Sequence, residues 1–220
     1  MFYAEPLFAD RREAGRRLAA ALAELAVDDP LVLALPRGGV PVAVEVAAAL
    51  DAALDLLLVR KLGAPGHAEY GIGALVDGSD PQLVLNEEAM RLVAPPPEYV
   101  EQEKQRQLVE LERRRALYFG DRQPLPVAGR NIILVDDGIA TGGTVRVALR
   151  ALRRSGAGEI VLAVPVAPAD IVESLRSETD RLVCLATPAP FRSVGNHYAD
   201  FAQTTDAEVI ELLRTAASRP

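Results

Sequence analysis

Apolar residues recur along this chain with two different periods. Over residues 10–26, Leu18, Leu22 and Leu25 are spaced three or four apart while Arg11, Arg12, Arg16 and Arg17 take other positions, the pattern of an amphipathic helix. Residues 31–35, LVLAL, are instead a continuous apolar run of strand length, ended by Pro36, Arg37, Gly38 and Gly39. A helical stretch restarts in PVAVEVAAAL, with Pro41 in the first turn, where its missing N–H is tolerated. Strand, glycine turn and helix in that order open a βαβ unit.

The alternation continues. Residues 54–59, LDLLLV, predict a second apolar strand, and RKLGAPGHAEYG after it reads as a polar loop marked by Gly and Pro. Short strands are expected at 72–76 and 82–85, then a helix capped by Asn86 and running through Val93, with APPP at 94–97 as its stop. Residues 98–119 predict one long, exposed, charged helix, with Val100, Leu108, Leu111 and Tyr118 on one stripe and Glu110 four residues ahead of Arg114. A link at 120–130 leads to NIILVDD, a strand ending near Asp136. Beyond it come a helix at 144–155, a strand at 159–164, a helix at 168–176, a strand at 181–185 and a helix at 206–217 capped by Thr205 or Asp206. The fold class predicted is α/β, a doubly wound, mainly parallel sheet flanked by helices, whose ligand site lies at the carboxyl ends of its strands.

Composition narrows the partners. A chain of 220 residues that is 50% hydrophobic and 25% charged suits one globular domain spanning 1–220, without internal repeats. The net charge of −7 opposes a broad grip on nucleic acid or on an anionic membrane, so neither is expected as a partner. The longest apolar runs fall far short of the roughly 20 residues of a membrane span, and the start MFYAEPLFADRREAG has no cationic region followed by an apolar one. With the single Cys184 unable to form an intrachain disulfide, a cytoplasmic protein is expected. Cys184 itself reads as a small buried hydrophobe, and two histidines, His67 and His197, do not make a metal site.

Candidate chemistry concentrates in three segments that a parallel sheet would carry to one rim: PRGG (36–39), RKLGAPGH (60–67) and DDGIATGGT (136–144). Between Gly138 and Thr144 the backbone amides can turn inward with no β-carbon at Gly138, Gly142 or Gly143, and a helix N-terminus adds its positive end, which together cradle a phosphate. Lys is missing from the place that an NTPase P-loop requires. Two carboxylates beside such a cradle would repel a phosphate, but they suit ribose hydroxyls and positive charge developing on a sugar ring. Arg37, Arg60 and Lys61 would meet a second anion. The ligand sketched is a ribose with a phosphate at one end and a leaving anion at the other.

VDDGIATGGT resembles the signature of type I phosphoribosyltransferases that binds 5-phosphoribosyl 1-pyrophosphate (PRPP): β-formers, two acids, several small residues and T-G-x-T. PRGG after the first strand is similar to their pyrophosphate loop. The likeness follows element order over residues 30–190 and is specific over about 20 residues. It implies transfer of phosphoribosyl from PRPP to a nitrogenous acceptor, with release of pyrophosphate through an oxocarbenium-like transition state. Asp136 and Asp137 would take the ribose hydroxyls, while Gly138, Ile139, Ala140, Thr141, Gly142, Gly143 and Thr144 would hold the 5′-phosphate. Arg37, Gly38, Gly39 and Arg60 would face pyrophosphate, with Arg37 or Lys61 offsetting its charge as it departs. Mg²⁺ would ride on pyrophosphate and ribose oxygens without a direct protein ligand.

The resemblance leaves the acceptor open. Several purine-recognising members carry an acid where this chain has Ala140, whereas adenine-specific members have a small residue there, as here. The C-terminal segment 187–220 would form the acceptor side: TPAPFRSVGNHYADF offers Phe191 and Tyr198 for stacking and Asn196 or His197 for hydrogen bonds. The bland alternative gives Phe191 and Tyr198 to packing and makes 98–119 a solvated face, with a lid or a homodimer arm as its functional counterpart. A PRPP-sensing regulatory protein without transferase activity is the second reading, since Ala140 supplies no base-protonating carboxylate. A nicotinamide dehydrogenase is set aside because Gly71-Ile-Gly73 lacks the third glycine, and a serine hydrolase because G-x-S-x-G is missing.

Overall fold

A computed structural model describes residues 5–78 and 81–217. In chain order its elements are α1 (Arg11–Ala23), β1 (Pro30–Ala34), α2 (Gly39–Leu50), β2 (Ala53–Leu56), β3 (Val59–Ala64), β4 (His67–Val76), β5 (Gln82–Leu85), α3 (Glu87–Val93), α4 (Pro97–Phe119), β6 (Asn131–Val135), α5 (Gly143–Arg154), β7 (Ile160–Val166), α6 (Ala169–Leu175), β8 (Arg181–Ala186) and α7 (Asp206–Ala217). Short 3₁₀ turns occupy Arg176–Glu178 and Val194–His197.

Five parallel strands form the central sheet in the order β2-β1-β6-β7-β8. Because side chains alternate along a strand, each strand feeds two cores. Val32, Ala34, Ile133, Val135, Val161 and Ala163 face α1, α2 and α7, whereas Leu31, Leu33, Ile132, Leu134, Ile160 and Leu162 face α5 and α6. The chain leaves β1 in one direction, through α2 to β2, and leaves β6 in the other, through α5 to β7. The switch point between β1 and β6 falls at their carboxyl ends, where the PRGG and DDGIATGGT segments leave the sheet side by side.

The expected strand at 54–59 and the loop after it are corrected by the structure. Only Ala53–Leu56 pair with β1; a last bond runs from Leu57 N–H to the Ala34 carbonyl (3.0 Å), and the chain then leaves the sheet. Val59–Ala64 pair antiparallel with His67–Val76, which pairs with Gln82–Leu85, making a second, three-stranded sheet. Gly71 and Gly73 are strand positions: a β-carbon on Gly73 would stand 2.7 Å from the Val84 carbonyl, and one on Gly71 would stand 3.0 Å from Cδ of Lys61. Close packing over the strand, by the Val84 carbonyl at Gly73 and by the Lys61 stem at Gly71, leaves no room for side chains there.

Helix α3 starts as expected, with the Asn86 carboxamide accepting from Glu88 and Ala89 N–H. Helix α4 is 23 residues long and is not solvated all round. Leu111, Tyr118 and Phe119 are buried, Val100 and Leu108 pack on the small core of Leu62, Ala64, Ile72, Leu75 and Ala89, and the Tyr99 hydroxyl donates to the Gly63 carbonyl. The Glu110–Arg114 pair forms at 3.0 Å, and with Arg113 alongside, the Glu110 carboxyl is pulled down to about 2. Beyond α4, buried Asp55 accepts from Arg122 and from Leu125 N–H, tying the link to β2. Thr205 caps α7 in a reciprocal box: its hydroxyl accepts from Glu208 N–H while the Glu208 carboxylate accepts from Thr205 N–H. No helix among the described residues is long and apolar enough to cross a membrane.

Candidate active site

Strands β1 and β6 run side by side, with Ala34 opposite Val135, so the segments that follow them leave the sheet together. The Leu35 N–H still bonds the Val135 carbonyl (2.9 Å), after which PRGG passes beneath Asp136 and Asp137. Side chains are excluded there by contact. A β-carbon on Gly38 would fall 2.1 Å from Oδ2 of Asp137, and one on Gly39 would fall 2.8 Å from the Val135 carbonyl. The Pro36–Arg37 peptide is cis.

The two acids have different surroundings. Oδ1 of Asp136 accepts from Asp137 N–H at 2.9 Å. Burial, and then the neighbouring Asp137, raise the Asp136 carboxyl well above the usual carboxylate range. Burial also raises Asp137, but Arg11 opposes the shift, its Nε donating to Oδ2 at 2.8 Å. The Tyr198 hydroxyl donates to the Asp137 carbonyl at 2.5 Å, and burial drives that phenol far up. Burial and mutual repulsion thus oppose ionisation of both carboxyls together, most strongly that of Asp136.

The loop after the acids splits into a buried half and an open half. A β-carbon on Gly138 would meet Cγ1 of Val194 at 2.6 Å, and Ile139 is buried with its N–H given to the Val166 carbonyl at 2.9 Å. That amide is engaged within the fold, at the buried end of the expected cradle. Ala140, Thr141, Gly143 and Thr144 are exposed. Gly142 has φ +77° as the N-cap of α5, and the space over Gly143 is open. The amides of the first turn of α5 have no earlier partner within their helix, so they face that space with the helix dipole behind them.

The structure disperses the other expected residues. Arg37 reaches Asp206 at 3.7 Å, and Asp206 also accepts from the Tyr118 hydroxyl. Arg60 donates to Gln107 on α4 at 3.1 Å, and burial followed by the nearby Arg114 lowers its pKa. Lys61 is exposed on β3, its stem beside Gly71. PRGG and DDGIATGGT thus meet at the rim as loops, while 60–67 is hairpin. Phe191 lies against the His197 ring at 5.0 Å, and Asn196 is exposed with its carbonyl oxygen accepting from Ser193. Tyr198, 4% exposed, packs between Phe8 and Phe201; it is a strut beneath Asp137 and not an open stacking face. Cys184 is half-buried and burial raises its thiol.

Arg11 is the site residue that the sequence reading missed. Helical periodicity placed it among the polar positions of α1, and nothing local marks a partner 126 residues away.

Residues 9–189 match the phosphoribosyl transferase domain family. The chain belongs to that family. Over 210 residues it is 47% identical to a Mycobacterium tuberculosis (strain H37Rv) protein named "Putative phosphoribosyl transferase Rv0571c", a match covering 96% of this chain. It spans only about half (47%) of that relative's length. It is also similar to TT1426 from Thermus thermophilus, a crystal structure at 43% identity and TM-score 0.82, covering 94% of this chain and 97% of that one. The paired acids and the PRGG turn of this phosphoribosyltransferase-family chain lie inside the matched span.

Proposed function

We propose that the rim at the carboxyl ends of β1 and β6 binds PRPP and that the chain transfers its phosphoribosyl group to a nitrogenous acceptor, releasing pyrophosphate. The observation that carries this reading is the stacking of the Asp136–Asp137 pair on Gly38 and Gly39, beside the open amides at the start of α5. A sugar phosphate would use both halves. Its 5′-phosphate would take the amides of residues 143–145 with the hydroxyls of Thr141 and Thr144, where the helix dipole favours an anion. Its ribose hydroxyls would donate to Asp137, and the charge of that carboxylate would offset positive charge growing on the ring.

Among the described residues no three His, Cys, Asp or Glu side chains group as metal ligands. The paired carboxylates of Asp136 and Asp137 are hard oxygen groups compatible with a nearby magnesium ion carried on pyrophosphate and ribose oxygens with waters, and when bound the ion would neutralise charge on the leaving group. Arg37, two residues before Gly39, would join it on leaving Asp206.

The second reading, a PRPP-binding regulatory protein, draws support from the acceptor side: Ala140 offers no acid, and Tyr198 is packed away. Isotope exchange between pyrophosphate and PRPP, with nucleobases supplied in turn, tests the transferase. Exchange with one base supports it; tight PRPP binding with no exchange for any base favours the regulatory protein.

A further inference from the structure

We propose that Arg11 is a positioning residue for the PRPP site: it fixes the orientation and the charge of Asp137, and through that contact the segments at both ends of the chain hold the ribose-binding acid in place. The ligand in this inference rests on the function proposed above; the positioning does not.

The geometry is a three-point clamp. Arg11 gives Nε to Oδ2 of Asp137 at 2.8 Å and Nη1 to the Ala202 carbonyl at 2.7 Å, and its guanidinium carbon lies 3.8 Å from the centroid of the Phe201 ring. A guanidinium held along one edge and on one face has a single rotamer, which in turn fixes the carboxylate. Both side chains are nearly enclosed, 11% and 13% exposed. Removing the cation would leave a half-desolvated acid beside a second acid.

Asp137 is touched on its other sides by Asp136, whose Oδ1 accepts from its amide, and by the Tyr198 hydroxyl, which donates to its carbonyl. Tyr198 stays neutral, so among these neighbours Arg11 supplies the positive charge. The Arg11 bond engages Oδ2 of Asp137, and a ligand hydroxyl would take Oδ1. An ionised carboxylate accepts from two ribose hydroxyls; a protonated one must donate and loses an acceptor.

The test pairs two readouts. PRPP affinity is measured by calorimetry between about pH 5 and pH 8 for wild type, Arg11→Met and Arg11→Lys. The Asp137 carboxyl carbon is followed over the same range by ¹³C NMR of the ligand-free proteins, its signal identified with Asp137→Asn. Arg11→Met is expected to weaken PRPP binding by ~10–100-fold at neutral pH, and to move both the acid limb of binding and the carboxyl titration to higher pH. Arg11→Lys keeps the charge but cannot span Asp137 and Ala202 together, so Asp137 titrates near its wild-type pH while affinity falls by ~10-fold. An unshifted titration with unchanged affinity in Arg11→Met overturns the proposal, as does tighter binding, which would make Arg11 an occluding group. Should Arg11→Met fail to fold, Arg11→Lys decides, and wild-type affinity there overturns the positioning role. A shifted titration in a protein that binds no PRPP would keep the clamp and sink the transferase reading.

Discussion

Gly38 lies directly beneath Asp137: a β-carbon at position 38 would come within 2.1 Å of the carboxylate oxygen that Arg11 holds. The first loop of the site is thus shaped by the acid of the second. Gly38→Ala would meet the far end of a side chain, so the carboxylate gives way before the backbone does. Stability should fall by about 1–3 kcal/mol from overpacking, and further where the nearly enclosed Arg11–Asp137 pair is strained, while PRPP affinity falls more than ~10-fold because Asp137 is dislodged from Arg11. Thermal melting and calorimetry on the one variant separate the two effects.

Gly142→Val tests the other half of the site. Gly142 sits at φ +77°, and its β-carbon would come 3.3 Å from Cγ2 of Ile171. A β-branched residue in the left-handed region costs on the order of 1–3 kcal/mol, and relieving that strain would re-aim the first turn of α5. Phosphate competition against PRPP should be lost in this variant; unchanged competition would clear the helix start of the role given to it.

Asp136→Asn should stabilise the ligand-free protein, and increasingly so as pH rises. Burial and Asp137 hold the Asp136 carboxyl above its unfolded value, so between the two values the native state binds the extra proton. For such a group stability is highest below the ordinary carboxylate range near ~4 and is lost as pH climbs through the raised native value. The melting temperature of Asp136→Asn should therefore exceed that of wild type at neutral pH and converge with it in acid. A gap that widens toward acid would reverse the sign and refute the assignment.

Asp55→Ala should be costly without touching the site. Asp55 is 1% exposed and accepts from Arg122 and from Leu125 N–H. Removing Asp55 leaves the Leu125 N–H without its acceptor while Arg122, 44% exposed, still reaches water, so denaturant unfolding should show a loss of about 1–3 kcal/mol. PRPP affinity, measured under conditions where the variant is folded, should stay within ~2-fold of wild type.

What could be read in advance follows from how local each signal is. The β1 and β6 turns, the Asn86 cap and the helices from α5 onward announce themselves through periodicity and glycines within a few residues. The break after Leu56 does not, because Leu57 and Leu58 continue the apolar run while their backbone turns toward a different sheet. Gly63 and Gly71 carry the composition of a loop, yet they are strand positions, and the Lys61 stem lies over Gly71. Arg37 was placed by its loop, but its side chain is claimed by Asp206 from the far end of the chain. The contacts of Arg11 and Tyr198 with Asp137 were hidden for the same reason: each reaches it from a segment that folding alone brings near.

PRPP binding at the β1–β6 rim is decided by a crystal structure of the chain with PRPP and magnesium. Ribose hydroxyls are expected within hydrogen-bonding distance of Asp137 or Asp136, the 5′-phosphate on the first-turn amides of α5, and Arg11 still clasping Asp137. A phosphate bound away from that helix start, with both acids turned from the sugar, would contradict that placement.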